Sequence, residues 1–194
     1  MSLFGDRPDG FLYQPRFISE GEERVLADAI AQLEFDPFAM RGVVARRRVK
    51  FFGASYNAAP ALPMPEFLLA LRARAATSAG VAPDAFVMAL VNEYTPGATI
   101  GWHRDAPQYG MVAGISLLSS CRMKLRPYIS PAAMRSAVGG TARRTTSHEM
   151  TLEPRSGYLM KDIARSDYEH SIPATDALRY SVTFRTMRES TSEP

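Results

Sequence analysis

From Phe86 onward the chain breaks into short β-branched and aromatic segments separated by turn residues, at 86–94, 99–104, 111–119, 122–128, 149–153, 157–161, 168–172 and 178–186. Runs of this length and composition read as strands. Two helical patterns come before them. Ser19-Glu20-Gly21-Glu22 has the form of a capping box, and Val25, Leu26, Ala29, Ile30 and Leu33 follow at helical spacing. The second helix starts at Pro65, with Phe67, Leu68, Leu71 and Ala75 on its apolar stripe. Val43 to Phe52, between the two, reads as another strand. Helices first and then many strands indicate an α+β domain built around an antiparallel sandwich or barrel.

At 194 residues the chain is most simply one domain, large enough to bury roughly 70% of its unfolded surface. The expected division is 1–85 for the N-terminal helices and a substrate lid, 86–187 for the strand-rich core, and 188–194 for a tail that frays. Ser130 to Ser147, rich in Ser, Thr, Gly and Arg, reads as a long surface loop. Cys121 has no second cysteine to pair with, and no four-ligand zinc spacing occurs, which fits a reducing compartment. The polar N-terminus lacks the apolar run of a secretory signal, and no apolar stretch reaches membrane-spanning length. A soluble cytoplasmic protein with no membrane contact and no obligatory protein partner is expected.

Net charge is only +3, yet it is segregated. Residues 37–65 hold five cations and no acid, residues 106–148 hold six and no acid, and the rest holds 12 cations against 20 acids. Such a pattern suits a polyanion-binding face on an acidic body. Solvated strand faces and a mobile loop would read the same way.

Thr95-Pro96-Gly97-Ala98 fits a type II turn, with proline at the first central position and glycine at the second, so the flanking segments are expected to pair as a hairpin. Asn92 and Tyr94 then share one face of the incoming strand, and His103 and Asp105 share one face of the outgoing strand. An imidazole and a carboxylate projecting together supply two legs of a metal site. The third is a histidine from a distant strand, and His170 suits this better than His148, which borders the Arg-rich loop. Two histidines and one carboxylate on one face match the arrangement of non-heme Fe(II) oxygenases. By itself the His-x-Asp pair fits a hydrogen-bonded surface pair equally well, and ligand types alone would also allow a zinc hydrolase.

The last strand adds weight. In Arg179 to Arg185 the alternation is strict: Tyr180, Val182 and Phe184 face a core, and Arg179, Ser181, Thr183 and Arg185 face the other way. Two guanidinium groups on one strand face suit carboxylate pairing, but their Cα atoms stand roughly 20 Å apart, so they reach for different partners or for opposite ends of a dicarboxylate. An exposed edge strand with solvated arginines is the alternative.

The series Asn92-x-Tyr94-x-Pro96-Gly97, His103-x-Asp105, His170 and Arg179-Tyr180-Ser181-x-Thr183-Phe184-Arg185 resembles, in order, the AlkB family of iron- and 2-oxoglutarate-dependent dioxygenases. The resemblance spans residues 92–185. It implies a double-stranded β-helix (jelly-roll) core with N-terminal helices packed on one sheet and a nucleotide-recognition lid. It also implies Fe(II) on the catalytic residues His103, Asp105 and His170, with 2-oxoglutarate and O2 as co-substrates. Arg179 with Tyr94 would take the distal carboxylate of 2-oxoglutarate, and Asn92 and Arg185 would stand around co-substrate and metal. Ser181 departs from the family, which often has asparagine there, and its shorter side chain would leave a water-mediated contact to the oxo-acid.

The implied reaction is oxidative demethylation or dealkylation of modified nucleobases in DNA or RNA, as in alkylation repair or RNA demethylation, releasing succinate, CO2 and an aldehyde. A modified nucleic acid is the expected partner. Arg46, Arg47, Arg48, Lys50, Phe52 and Tyr56 interleave cations and aromatics, as a surface gripping phosphates and stacking an extruded base would. Trp102 belongs with this substrate-binding set. A basic strand with its phenylalanines in the core is the competing reading of the 46–56 stretch. The same oxygenase chemistry on a protein or small molecule, and a non-catalytic nucleic-acid-binding module on this fold, are the alternative functions.

Overall fold

The computed structural model describes residues 7–40, 43–54, 62–130 and 147–188. Two antiparallel sheets face each other. The larger has seven strands in the order β1-β9-β6-β11-β4-β3-β2 and the smaller has four in the order β5-β10-β7-β8. Their ranges are β1 (Phe11–Gln14), β2 (Asp36–Met40), β3 (Val43–Gly53), β4 (Phe86–Tyr94), β5 (Ile100–His103), β6 (Tyr109–Leu117), β7 (Cys121–Pro127), β8 (His148–Leu152), β9 (Gly157–Met160), β10 (Tyr168–Ile172) and β11 (Arg179–Met187). The helices are α1 (Glu20–Ala31), α2 (Glu66–Ala79) and a single turn, α3 (Asp162–Ser166). This is a double-stranded β-helix with α1 and α2 on the outer face of the larger sheet. Among the described residues no helix is long and apolar enough to cross a membrane.

α1 begins where the sequence says it should, with the Ser19 amide donating to Glu22 Oε2 at 2.8 Å and the Glu22 amide donating to Ser19 Oγ at 3.2 Å. Its buried stripe is Glu23, Leu26, Ala27 and Ile30. Val25, expected on that stripe, is 66% exposed. Glu23 displaces it because its carboxylate has fixed partners, accepting from the Leu118 amide at 2.9 Å and from Arg155 at 3.1 Å. Leu68, Leu71, Ala75 and Ala76 of α2 complete the helical side of a core shared with Phe86, Val91, Ile115, Tyr180, Val182 and Phe184. Burying each large side chain contributes about 1.5–3 kcal/mol. A second core between the sheets contains Phe11, Tyr94, Val112, Met123, Leu125, Leu152 and Ile172.

One expectation changes, one alternative is excluded and one reading is extended. The Thr95–Ala98 turn exists, with Gly97 at φ 83° and the Ala98 amide donating to the Thr95 carbonyl at 2.9 Å. Its flanks do not form a hairpin. β4 pairs with β3 and β11 in the larger sheet, while β5 pairs with β10 in the smaller one. The turn is a corner between sheets because its backbone docks on the 173–178 segment: the Gly97 amide donates to the Thr175 carbonyl at 2.7 Å, and the Thr175 amide donates to the Ala98 carbonyl at 3.1 Å. Secondly, β11 is the middle strand of seven and is buried from Arg179 to Thr186, so its arginines are not on a solvated edge. Thirdly, the N-terminal part adds two strands to the expected one at 43–52, with β1 closing one edge against β9 and β2 pairing with β3 at the other. Positions 131–146 of the expected surface loop, with Arg143 and Arg144, and positions 189–194 of the expected tail lie outside the described residues.

Candidate active site

Alternation sets the inward face of each strand. On β11, Tyr180, Val182 and Phe184 go to the helical core, so Arg179, Ser181, Thr183 and Arg185 must point between the sheets. β4 adds Asn92 and Tyr94 to the same face, in register with Ser181 and Arg179. From the smaller sheet come His103 on β5 and His170 on β10, directly opposite each other, with ring centroids 4.2 Å apart. Asp105 follows two residues after β5 ends.

Two groups of contacts fill this space. At one end, Arg185 donates to Asp105 Oδ1 from Nη2 at 2.8 Å and from Nε at 3.2 Å. Its Nη1 donates to Thr183 Oγ1 at 2.9 Å. Burial alone would raise the Asp105 pKa; the Arg185 guanidinium and the nearby imidazoles outweigh it and hold the carboxyl well below the usual range. His170 moves the other way, down to about 3, through burial first and then the neighbouring His103, against the pull of Asp105. It is therefore a neutral imidazole at physiological pH, and Arg185 is the cation that keeps Asp105 ionised. His103 Nδ1 lies 3.0 Å from the Gly101 carbonyl, which can only accept, so Nδ1 is the donor there and Nε2 is the nitrogen left to serve as a ligand.

At the other end, Arg179 is 1% exposed, donates from Nε to Ser116 Oγ at 3.1 Å and lies 4.8 Å from the centroid of the Tyr94 ring. Its Nη1 is buried with no hydrogen-bond partner. A guanidinium nitrogen aimed into a closed interior without an acceptor is suited to an incoming anion. Asn92 is fixed on both sides, accepting from Arg47 Nη1 at 2.7 Å and donating to Ser181 Oγ at 3.4 Å.

The donor types fit Fe(II), since two imidazoles and a carboxylate form the set that leaves coordination positions open. As the side chains stand, no three His, Cys, Asp or Glu among the described residues occupy finished metal-site geometry. Both Arg185 contacts to Asp105 fall on Oδ1. The orphaned Arg179 nitrogen fits the far carboxylate of a dicarboxylic oxo-acid.

The expected substrate surface fares differently. β3 alternates so that Arg47 and Val49 face between the sheets, and Arg47 is buried with its guanidinium 3.9 Å from the Phe38 ring centroid. Arg48, Lys50 and Phe52 point to the opposite face. Arg48 pairs with Glu93 at 2.7 Å, Lys50 pairs with Asp36 at 3.3 Å, and Phe52 is buried in the helical core. These three stand on the face of β3 away from Arg47 and Asn92, because odd and even positions of a strand point to opposite faces. Arg46 is exposed, with its guanidinium against Gly97. Trp102 is 37% exposed on the face of β5 opposite His103, and the Arg126 guanidinium lies 4.1 Å from its ring centroid. Tyr56 lies outside the described residues.

Two site residues had no sequence signal strong enough to name them. Ser116 is a single polar residue in an apolar strand, noticeable only once it is known that Arg179 lies opposite. Tyr158, on β9, lays its ring over Gly114, where a Cβ would come within 2.3 Å of two ring carbons. Only glycine leaves room for that ring. Burial, then the charges of Asp105 and Tyr94, push the Tyr158 hydroxyl far above its ordinary pKa, so it remains a phenol able to donate.

Known proteins share this fold. A family model described as the 2OG-Fe(II) oxygenase superfamily matches residues 38–188. Among solved structures, OsALKBH1 superimposes with a TM-score of 0.65 at 14% identity, over 93% of this chain and 99% of that one. A prolyl-4-hydroxylase from Pseudomonas putida gives 0.61 at 15% identity, over 93% and 94%. At such identities these two likenesses speak to fold.

Proposed function

The chain belongs to the 2OG-Fe(II) oxygenase superfamily, and from that premise we propose that it oxidatively demethylates or dealkylates modified nucleobases in DNA or RNA. The enzyme class carries its co-substrates with it: Fe(II), 2-oxoglutarate and O2. In the proposed site His103, Asp105 and His170 hold the iron. Arg179 takes the distal carboxylate of 2-oxoglutarate, with Tyr94 packed beneath its guanidinium and Ser116 fixing its Nε. Asn92 and Ser181 line the wall between, and Arg185 keeps Asp105 ionised and oriented. When bound, iron would supply the centre at which O2 is the oxidant, two of its four oxidising equivalents going to 2-oxoglutarate, which leaves as succinate and CO2, and two to a substrate C–H bond. Everything else is done by the chain: it keeps His170 neutral so that its lone pair is available, presents one ionised carboxylate, and seals both arginines from water.

The observation that carries the site assignment is the partnerless Arg179 Nη1 in the interior that also receives His103, Asp105 and His170. The nucleobase reading draws on the AlkB-like order of residues 92–185. The fold likeness to a prolyl-4-hydroxylase favours a second reading, the same chemistry on a protein substrate. Turnover separates them. Succinate and formaldehyde are measured together with methylated DNA, methylated RNA and proline-containing peptides. Equal yields with a methylated oligonucleotide are expected; succinate formation matched by peptide hydroxylation, without formaldehyde and with peptides alone, would move the assignment to the second reading.

A further inference from the structure

Asp105 sits in a connection, residues 104–108, that joins β5 to β6 and has no strand partner of its own. Its backbone is held from outside. Arg165 of α3, only 5% exposed, donates through Nη2 to the carbonyls of Ala106 and Tyr109, both at 2.8 Å, with a longer 3.5 Å contact to that of Asp105. In the reverse direction Arg104 donates through Nη1 to the Ser166 carbonyl at 3.1 Å, and its guanidinium lies 3.6 Å from the centroid of the Tyr128 ring. Tyr128 is anchored at the same place, its amide donating to the Asp167 carbonyl at 2.7 Å. Each segment thus sends an arginine into the backbone of the other. One runs directly through Asp105, and the other leads straight into β10 and His170.

Burying Arg165 is costly for such a role. Its Nε is buried without a hydrogen-bond partner, and a well-packed apolar side chain at a position like this commonly leaves a fold as stable or more so. What an apolar residue cannot do is hold the Ala106 and Tyr109 carbonyls, and with them the course of the chain at Asp105. We propose that Arg165 and Arg104 form a crossed clasp that fixes the Asp105 segment relative to the His170 segment and so positions the metal ligands. This rests on the reading of His103, Asp105 and His170 as those ligands. Both arginines are positioning residues: Arg165 sets the ligand-bearing connection, and Arg104 sets the approach of α3 and β10 from the outer side. Groups that orient metal ligands typically account for about 10–100-fold in metal affinity.

The test is an anaerobic Fe(II) titration of the wild type, Arg165→Met, Arg165→Lys, Arg104→Ala and His103→Ala, with a thermal melt for each and the 2-oxoglutarate KM at saturating iron for all but His103→Ala. Arg165→Met is expected to weaken Fe(II) binding by about 10–100-fold with a much smaller change in KM. Arg165→Lys, whose ammonium can still reach a carbonyl, recovers part of the loss. Arg104→Ala weakens binding in the same direction; its side chain is exposed, so it decides the matter if Arg165→Met does not fold. Wild-type Fe(II) affinity in Arg104→Ala and in a folded Arg165→Met, with binding lost in His103→Ala, overturns the clasp alone. Wild-type affinity in His103→Ala overturns the ligand reading and the clasp with it.

Discussion

Replacing Arg179 by methionine separates what the residue does for the fold from what it does for the reaction. The side chain is 1% exposed, and Nη1 has no partner, so the protein maintains a buried unsatisfied donor at a cost on the order of 1–3 kcal/mol. Methionine keeps the length of the apolar stem and removes the charged fork. It also leaves Ser116 Oγ without the Nε donor now 3.1 Å away, which offsets part of the relief. Stability is therefore expected to change by no more than about 1 kcal/mol, in either direction. Binding of the oxo-acid should respond very differently. A carboxylate gripped by the guanidinium gains two charge-assisted hydrogen bonds, each about 1.5–3 kcal/mol, so the loss is at least about 3 kcal/mol. At about 1.4 kcal/mol per decade, the 2-oxoglutarate KM rises on the order of 100-fold. Fe(II) affinity without 2-oxoglutarate should be unchanged. The assay is succinate formation against 2-oxoglutarate concentration beside a thermal melt. A KM within threefold of wild type in a folded variant would refute the anchor role.

Three further perturbations probe other parts of the account. The metal-free protein should lose stability as pH falls from about 6.5 toward 3, because His170 takes a proton in the unfolded chain in that window but not in the folded one. The slope is up to about 1.4 kcal/mol per pH unit, read by denaturant melts, and His170→Asn should flatten it; an unchanged slope in that variant contradicts the assignment. Gly114→Ala drives a Cβ into the Tyr158 ring and should cost about 1–3 kcal/mol, with the penalty relieved when Tyr158→Ala is added; strict additivity in a double-mutant cycle would show that the ring does not lie there. Arg48→Ala should leave oligonucleotide kcat/KM within about twofold while destabilising the protein by roughly 1–3 kcal/mol, since Glu93 on the outer face loses its partner; a large loss of oligonucleotide affinity would place Arg48 in the substrate set.

Local signals carried most of the fold. The capping box of α1, the strand segments from 86 onward and the two-residue alternation of β11 all depend on neighbours within a few positions, and all reappear in the structure. What failed was long-range. A turn sequence at Thr95–Ala98 cannot say whether its flanks pair with each other, and here the pairing of β5 with β10 and the docking of the turn on Thr175 decide for a corner. The basic run at 46–50 looked like one surface, but strand alternation divides it, sending Arg47 inward to Asn92 while Arg48 and Lys50 form ion pairs outside. Tyr158, Ser116 and Arg165 had no local mark because their roles lie in what they touch: Gly114, Arg179 and the Ala106 and Tyr109 carbonyls, each distant along the chain.

The central claim is that His103, Asp105 and His170 together make this chain an oxygenase. Succinate release from 2-oxoglutarate under air, with Fe(II) supplied, tests it without knowledge of the substrate. Wild type should show slow uncoupled succinate formation, and His103→Ala and His170→Ala, each confirmed folded by its melt, should show none above the protein-free blank. Succinate formation at the wild-type rate in either folded variant would contradict the account.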